Sequence, residues 1–502
     1  MRIENFVELS LKNVVMYQDR KNRSGIHLCE QIKNITPKMK ITLTRMSTSN
    51  ISFILTNKGE TSEKFIYYNS SKKTTMKSSI FNVFIPAKKG YALYNTLTES
   101  IMFCDQELKE VLEHDRVSAL TPEYISALRK NGVLVEDTAD ELQVFQYRYN
   151  CRAFDTKEIQ FVAVTTYRCN LACPYCYEGK GEVYSQEMNK EMAERIVKAM
   201  QNRIQQLQSR YCTLILFGGE PLLNMDVGVY LVDTMREWCT ARGVALRTFM
   251  VTNGTLLTEK KASLVSEFID GVQLTLDGSQ PYHDTTRIHK NGKGTYTEVI
   301  SAMKNALTAG MNVSLRVQVS KENWQHLGDL FIDIAPSIEM GRVTINIAPL
   351  SRYSGMCTNF SSHFLEKEEQ ETVLPAVLQY TPNVKPISNY LPCVAYTNNL
   401  IFDGKGNIYR CITTVGEDSP MGYLTEQGDI VWNPELYTFM ARTPLKIPEC
   451  ETCTYLPLCG GGCPRTAYLT HGTYESSVCG GSRRVYYETI KTYLKRKFPD
   501  RF

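Results

Sequence analysis

Between positions 161 and 349, short apolar runs alternate with stretches whose apolar residues recur at helical spacing. The run 161–166 reads as a buried strand. Met192, Ile196, Ala199, Met200, Ile204 and Leu207 then recur every three or four residues, which is one face of a long helix. Further strands are predicted at 213–217, 247–252, 271–276, 312–319 and 342–347. Helices separate them: one around 227–242, one at 260–268 with Thr258 as its N-cap, and one with Val299, Met303, Ala306 and Leu307 inward. Strand–helix alternation predicts a parallel sheet with right-handed crossovers. About six such units are too few for a closed eight-fold barrel. The pattern therefore predicts an α/β fold with an open, partial (β/α)6 barrel and functional loops at the C-terminal ends of the strands.

The first 155 residues read differently. Strands are expected at 51–56, 64–69, 90–95 and 100–103, then a short helix at 121–131 with Leu128 inward and a strand at 133–135. This suggests an α+β module, with a winged helix as one candidate form, and the polar stretch 57–77 reads as a mobile loop or hairpin tip. Beyond 349 the regularity fades and cysteine density rises. Three domains are expected: 1–155, the partial barrel 156–350, and a cysteine-rich region 351–502.

Charge narrows the class. Lys and Arg number 57 against 53 Asp and Glu, a formal net charge of +4 over 502 residues, which gives no reason to expect nucleic acid or an anionic membrane as partner. No charged-then-apolar leader follows Met1 and no apolar run is long enough to span a bilayer, so a cytoplasmic location is expected. Sixteen cysteines in a reducing compartment point to metal or clusters, not disulfides.

Cys169, Cys173 and Cys176 stand in the run Arg-Cys-Asn-Leu-Ala-Cys-Pro-Tyr-Cys-Tyr-Glu, directly after the first barrel strand. Three thiolates on one short loop can hold three irons of a [4Fe–4S] cluster and leave the fourth open to a small molecule. A zinc knuckle would bring a fourth Cys or His nearby, whereas the nearest downstream histidines are His283 and His289. The C-x3-C-x2-C spacing resembles the signature of the radical S-adenosylmethionine (SAM) enzymes. A second array, Cys393, Cys411, Cys450, Cys453, Cys459, Cys463 and Cys479, resembles the SPASM extension of radical SAM enzymes that mature peptides and proteins.

That resemblance implies SAM on the open iron and two auxiliary clusters. Cys393, Cys411 and Cys463 would hold the first, and Cys450, Cys453, Cys459 and Cys479 the second. Many relatives carry one more cysteine between the first two, and residues 394–410 contain none here. The fourth position of the first auxiliary cluster is then open to a substrate thiolate, filled by Cys357, or filled by a non-cysteine ligand or water. Of the remaining cysteines, Cys212 and Cys239 read as packing residues, and Cys29, Cys104 and Cys151 carry no signal.

The run Phe217-Gly218-Gly219-Glu220 matches the family's GGE motif. Its glycines would let backbone carbonyls approach the methionine ammonium of SAM, with Glu220 supplying charge. Tyr175 matches the aromatic that contacts adenine. Thr252 and Asn253 end the third strand within reach of the ribose or carboxylate, Thr275 lies on the fourth strand, and Arg316 on the fifth fits a salt bridge to the SAM carboxylate. Asp277 is a candidate active-site base or an ordinary strand-to-loop turn. His283, Asp284 and Arg287 follow on a loop at the catalytic end, as substrate contacts or as surface polarity.

The reaction implied is reductive cleavage of SAM to a 5′-deoxyadenosyl radical, which removes hydrogen from a ribosomally made peptide and installs a thioether or other crosslink. The N-terminal module would recognise the peptide by strand addition, or would only cover the barrel. A reductant such as flavodoxin or ferredoxin would be a partner. The alternatives are an anaerobic sulfatase-type maturase that oxidises Cys or Ser to formylglycine, and a non-catalytic iron–sulfur scaffold.

Overall fold

A computed structural model describes the strands β1 (Met39–Arg45), β2 (Ile51–Asn57) and β3 (Lys64–Ile66), and residues 75–178, 186–350, 362–381, 384–417, 419–479 and 482–502. Cys29, Cys357 and most of the expected loop 57–77 lie outside the described residues. Contacts divide the chain into two units, 1–75 and 76–502. In the first, β1, β2 and β3 form an antiparallel sheet.

The second unit begins with β4 (Met76–Ser78), β5 (Asn82–Pro86), β6 (Tyr91–Asn95), β7 (Ile101–Cys104), α1 (Gln106–Glu113), α2 (Pro122–Lys130), β8 (Leu134–Glu136) and α3 (Glu141–Ala153). Strands β5, β6 and β7 make an antiparallel sheet, and β4 pairs with β8. Leu128 on α2 is buried, as its spacing predicts. Helix α3 is not apparent from periodicity. Its buried positions, Glu141, Phe145, Tyr149 and Ala153, make a stripe only one residue wide, and one of the four is a carboxylate.

The barrel region follows the predicted alternation: β9 (Glu158–Thr166), α4 (Lys190–Leu207), β10 (Tyr211–Gly218), α5 (Met225–Arg242), β11 (Ala245–Val251), α6 (Glu259–Ser266), β12 (Gly271–Leu276), α7 (Gln280–Thr286), α8 (Tyr296–Thr308), β13 (Asn312–Val319), α9 (Leu327–Glu339) and β14 (Val343–Pro349). All six strands are parallel and lie in chain order. The predicted inward residues of α4 and α8 are in the core beneath the sheet, with Met192 and Leu207 at its margin. Thr258 caps α6 by accepting from Lys261 N at 3.3 Å. On β13, Val313, Leu315, Val317 and Val319 face that core, so period two turns Ser314, Arg316 and Gln318 to the opposite, concave face.

The sheet does not stop at β9. β15 (Asn399–Phe402) pairs parallel with β9, and β16 (Asn407–Tyr409), β17 (Gly422–Leu424) and β18 (Ile430–Trp432) continue it antiparallel to a ten-stranded open sheet with β14 and β18 as edges. Three-residue strands are too short to show a period, so sequence reading sees irregular chain here. The region ends with α10 (Pro434–Met440) and α11 (Ser482–Lys497).

Residues 76–153 do not pack on the barrel's apolar core. Phe81, Leu97, Phe145 and Tyr149 share a buried cluster with Leu391, Tyr396, Phe439, Ile447, Cys450 and Leu456. Val83, Ile85 and Tyr94 share another with Leu458, Ile490 and Leu494. Hydrogen bonds tie the same regions: Tyr94 OH donates to Pro386 O at 3.0 Å, Thr96 Oγ1 to Thr454 O at 2.5 Å, and Tyr149 OH to Arg442 O at 3.2 Å. The structure therefore separates 76–155 from 1–75, which the sequence groups together, and joins it to the cysteine-rich region. Among the described residues no helix is long and apolar enough to cross a membrane.

Candidate active site and cluster-binding cysteines

The triplet Cys169, Cys173, Cys176 follows β9 on a loop held from three sides. Leu171 N donates to Cys169 Sγ at 3.4 Å, and Cys176 N to Cys173 O at 3.1 Å. Ala172 N donates to Ile288 O at 2.8 Å, and Leu171 bridges His289 antiparallel, so the loop after α7 lies along the cysteine loop. Asn253 Nδ2 reaches Asn170 Oδ1 at 2.9 Å and Cys169 Sγ at 3.7 Å. Burial pushes the Cys173 thiol up to about 12 and the Cys169 thiol to about 11, and the other thiols of the triplet add to it. One buried and two half-buried thiols close enough to repel as thiolates fit iron, which takes up that charge. Among the described residues no three Cys, His, Asp or Glu converge on a single metal ion. A cubane does not require this, because each thiolate binds a different iron.

The Gly-Gly-Glu run is needed by the chain itself. Gly218 has φ +141°, and a Cβ there would lie 2.1 Å from Thr166 O; one on Gly219 would lie 2.5 Å from the carbonyls of Tyr167 and Arg168. Gly219 N and Glu220 N donate to Thr166 O and Arg168 O, each at 2.9 Å. The glycines thus press the end of β10 onto the root of the cysteine loop. Glu220 is fully buried and its carboxylate accepts from Thr252 Oγ1 at 2.8 and 2.9 Å, Asn253 N at 2.8 Å and Leu222 N at 3.1 Å. Burial raises its pKa, and those donors together with Arg287 oppose the rise. Thr252 and Asn253, chosen from sequence as ligand contacts, are therefore joined to Glu220 and the cysteine loop in one network.

Tyr175 OH donates to Asp277 Oδ2 at 2.5 Å, Thr286 Oγ1 donates to the same oxygen at 2.7 Å, and Arg287 Nη1 donates to Tyr175 OH at 3.0 Å. Asp277 Oδ1 and Arg287 Nε are buried without a partner. Burial pushes the Asp277 carboxyl above the ordinary range, against Arg287, Tyr175, Thr286 and Arg316. Thr275 pairs directly with Arg316 across β12 and β13. Arg316 makes no ion pair or hydrogen bond with a described residue.

Of the loop residues chosen from sequence, Arg287 enters this network by its side chain, and His283 touches it through the Asp277 backbone. His283 is fully buried: its Nδ1 accepts from Asp277 N at 3.3 Å, its Nε2 lies 3.0 Å from Thr295 Oγ1, and burial holds its pKa well below the usual value. Asp284 accepts from Tyr296 N at 2.8 Å and braces the start of α8. Asn323 was not visible from sequence. Its Nδ2 donates to Asp277 O and Gln318 O, both at 2.9 Å, and joins the ends of the fourth and fifth barrel strands. No local pattern marks such a residue.

The seven C-terminal cysteines sort electrostatically into two groups. Burial raises Cys393 to about 12, with Cys411 and Cys463 adding to it. Burial also raises Cys450 to about 12, with Cys479, Cys459 and Cys453 adding. The Cys411 sulfur lies 3.2 Å from the Thr413 hydroxyl, within hydrogen-bond distance. Among the described residues no fourth cysteine joins Cys393, Cys411 and Cys463, and Cys357 lies outside them. Cys212 and Cys239 sit in the barrel core, as expected of packing residues.

Comparison with known proteins agrees with this geometry. Residues 163–334 match the radical SAM superfamily. The chain is 22% identical over 363 residues to the cysteine-type anaerobic sulfatase-maturating enzyme of Clostridium novyi (strain NT), covering 65% of this chain and 94% of that one. It is 22% identical over 344 residues to the serine-type enzyme of Klebsiella pneumoniae, covering 64% and 85%. Among solved structures, native anSMEcpe with bound AdoMet and Kp18Cys peptide shares the fold with a TM-score of 0.52 at 18% identity, covering 68% of this chain and 98% of that one. With the cysteine triplet at the mouth of a parallel half-barrel and this match across it, residues 163–334 form a radical SAM domain, of the superfamily that works with a [4Fe–4S] cluster and SAM, and the chain is an enzyme.

Proposed function

We propose that the enzyme matures a ribosomally made peptide or protein, removing hydrogen from a side chain held against the concave face of the sheet and closing a thioether or other crosslink. The observation that carries this reading is the continuity of the sheet. β9 pairs with β10 on one side and β15 on the other, so the triplet after β9 and the Cys393–Cys411 segment around β15 and β16 are built on adjacent strands. Tyr177 packs in one cluster with Phe217, Ile412 and Val415, between the triplet and Cys411. A radical-generating site beside a second thiol group suits an oxidative modification, in which the substrate must give up an electron.

Cys169, Cys173 and Cys176 would hold the SAM-binding cluster, Cys393, Cys411 and Cys463 a second, and Cys450, Cys453, Cys459 and Cys479 a third. Bound at the triplet, the cluster and SAM supply a carbon radical strong enough to abstract hydrogen from an unactivated C–H bond. The chain's own residues bind and orient. Arg316 offers the cation for the SAM carboxylate, with Thr275 beside it. Gly218, Gly219 and Glu220 fix the triplet against Thr252 and Asn253, and Tyr175 and Arg287 wall the site beside Asp277. Asp277, with one oxygen unpartnered, is the group placed to take a proton. Residues 76–153 supply the three-stranded sheet ending in β5 and β7, a form to which an extended peptide can add a strand. The relatives named as sulfatase-maturating enzymes support a second reading, formation of formylglycine from Cys or Ser.

The test is anaerobic incubation with SAM, dithionite and a candidate precursor peptide, followed by mass spectrometry. A two-hydrogen loss without hydrazide-reactive aldehyde is expected. An aldehyde would favour formylglycine, and deuterium uptake without mass loss would indicate epimerisation and overturn the crosslink. No 5′-deoxyadenosine above a Cys176→Ala control would leave only an iron–sulfur scaffold.

A further inference from the structure

We propose that Arg442 is the shared counter-cation of the two C-terminal cysteine groups and sets the reduction potentials of the clusters they hold; this rests on the reading that both groups bind clusters. Arg442 is 1% exposed and is the largest fully buried side chain described. Its Nε donates to Tyr474 O at 2.6 Å and its Nη2 to Gly461 O at 2.5 Å, both neutral carbonyls. Its Nη1 is buried with no partner, and no described carboxylate pairs with it. A buried charge left this way is strongly unfavourable unless an anion compensates it. Arg465 nearby differs, because its guanidinium is paired with Glu417.

The position says which anion is missing. Gly461 stands two residues after Cys459, of one group, and two before Cys463, of the other. Its carbonyl takes the Arg442 bond, so the guanidinium is anchored on the short segment that joins a ligand of one group to a ligand of the other. Gly460, Gly461 and Gly462 all have positive φ, +60°, +88° and +76°, which only glycine adopts without strain in succession. A Cβ on Gly461 would lie 3.3 Å from Arg442 Nη1 and 3.0 Å from Pro444. The positive charge also acts on Cys393 and on Cys450, one thiol from each group.

Cluster potentials depend on net charge, on hydrogen bonds to the sulfurs and on exposure. Reduction adds negative charge, so a fixed buried cation favours the reduced form and raises the potential. A single guanidinium placed between two groups raises both. Arg442 is thus a positioning residue that acts through the clusters and not on the substrate. Its own backbone is held from the N-terminal region by the Tyr149 hydroxyl.

The experiment compares wild type, Arg442→Gln and Arg442→Lys as anaerobically reconstituted full-length enzymes. Iron per chain is measured first, then cluster potentials by redox titration followed by electron paramagnetic resonance. Arg442→Gln with wild-type iron is expected to lower both C-terminal potentials and leave that of the triplet's cluster, and 5′-deoxyadenosine formation without substrate, unchanged. Arg442→Lys should recover part of the shift. Unchanged potentials at full iron, or a shift in one C-terminal cluster alone, would overturn the proposal. Should Arg442→Gln lose C-terminal iron, retention in Arg442→Lys supports the charge role, and loss in both overturns it in favour of packing. A wild-type chain that binds iron only at the triplet overturns the underlying reading instead, a failure seen before any substitution is made.

Discussion

The Tyr175 hydroxyl donates to Asp277 Oδ2 at 2.5 Å, and this bond joins the middle of the cysteine loop to the end of the fourth barrel strand. Arg287, from the loop after α7, closes the set by donating to the same hydroxyl. The aromatic and the carboxylate, more than 100 residues apart, thus form one buried unit in which a proton and a cation are close at hand.

Replacing Asp277 with Asn should separate two steps. The amide can still accept from Tyr175 and Thr286, so the loop stays in place, but it cannot take a proton. Product formation is expected to fall about 10²- to 10⁴-fold, the usual range for a lost acid–base group, while SAM cleavage continues. The ratio of 5′-deoxyadenosine to modified peptide measures this. An equal fall in both would assign Asp277 to SAM binding.

Gly218→Ala should damage cluster binding without touching a cysteine. The new Cβ meets Thr166 O at 2.1 Å, and backbone cannot move aside as a flexible side chain can. With φ at +141° the strain is of order 1–3 kcal/mol before the clash is counted. Lower thermal stability and less iron at the triplet are expected. Wild-type iron with wild-type stability would contradict the close approach.

Phe145→Ala should act at a distance along the chain. Phe145 is fully buried on α3 among Leu391, Tyr396, Phe439 and Cys450. Its loss is expected to cost about 3–5 kcal/mol, as large-to-small core changes do. C-terminal iron should fall before triplet iron, read as iron per chain in titrations with denaturant. Equal loss at all sites would mean that 76–153 supports the whole molecule and not chiefly the cysteine-rich region.

His283 makes stability depend on pH in a fixed direction. Burial depresses its folded-state pKa well below 6.5, so below that pH the unfolded chain binds a proton that the folded chain refuses. Stability is therefore present above the unfolded value and is lost as pH falls, by about 1.4 kcal/mol per pH unit until the folded value is reached. His283→Asn, whose Oδ1 can still accept from Asp277 N, should flatten that part of the profile in denaturation experiments between about pH 7.5 and pH 5.5. An unchanged slope would assign the loss to other groups.

Much of the site could be read along the chain. The triplet, the seven further cysteines, the alternating strands and Arg316 on the fifth strand all follow from short spacings. Glu220 was legible as a motif residue, but its part in tying Thr252 and Asn253 to the cysteine loop was not. Asn323 and Arg442 had no signal at all. A lone Asn or Arg in an irregular stretch looks the same whether it is exposed or buried, and only its surroundings make it matter.

Periodicity and ligand spacing are local properties, which is why the linear chain already specified a half-barrel, a cluster-binding loop and a second cysteine array. Three matters waited for the folded molecule: β15 extending the sheet beyond β9, residues 76–153 packing on the cysteine-rich region, and one buried guanidinium bonded to the Gly461 carbonyl, between Cys459 and Cys463 in the chain. Each joins segments far apart in sequence, such as Tyr149 and Arg442 at 293 residues. Such pairings are decided by complementary apolar faces, unpaired backbone edges and the cost of burying charge, and none of these leaves a repeat in the order of the residues.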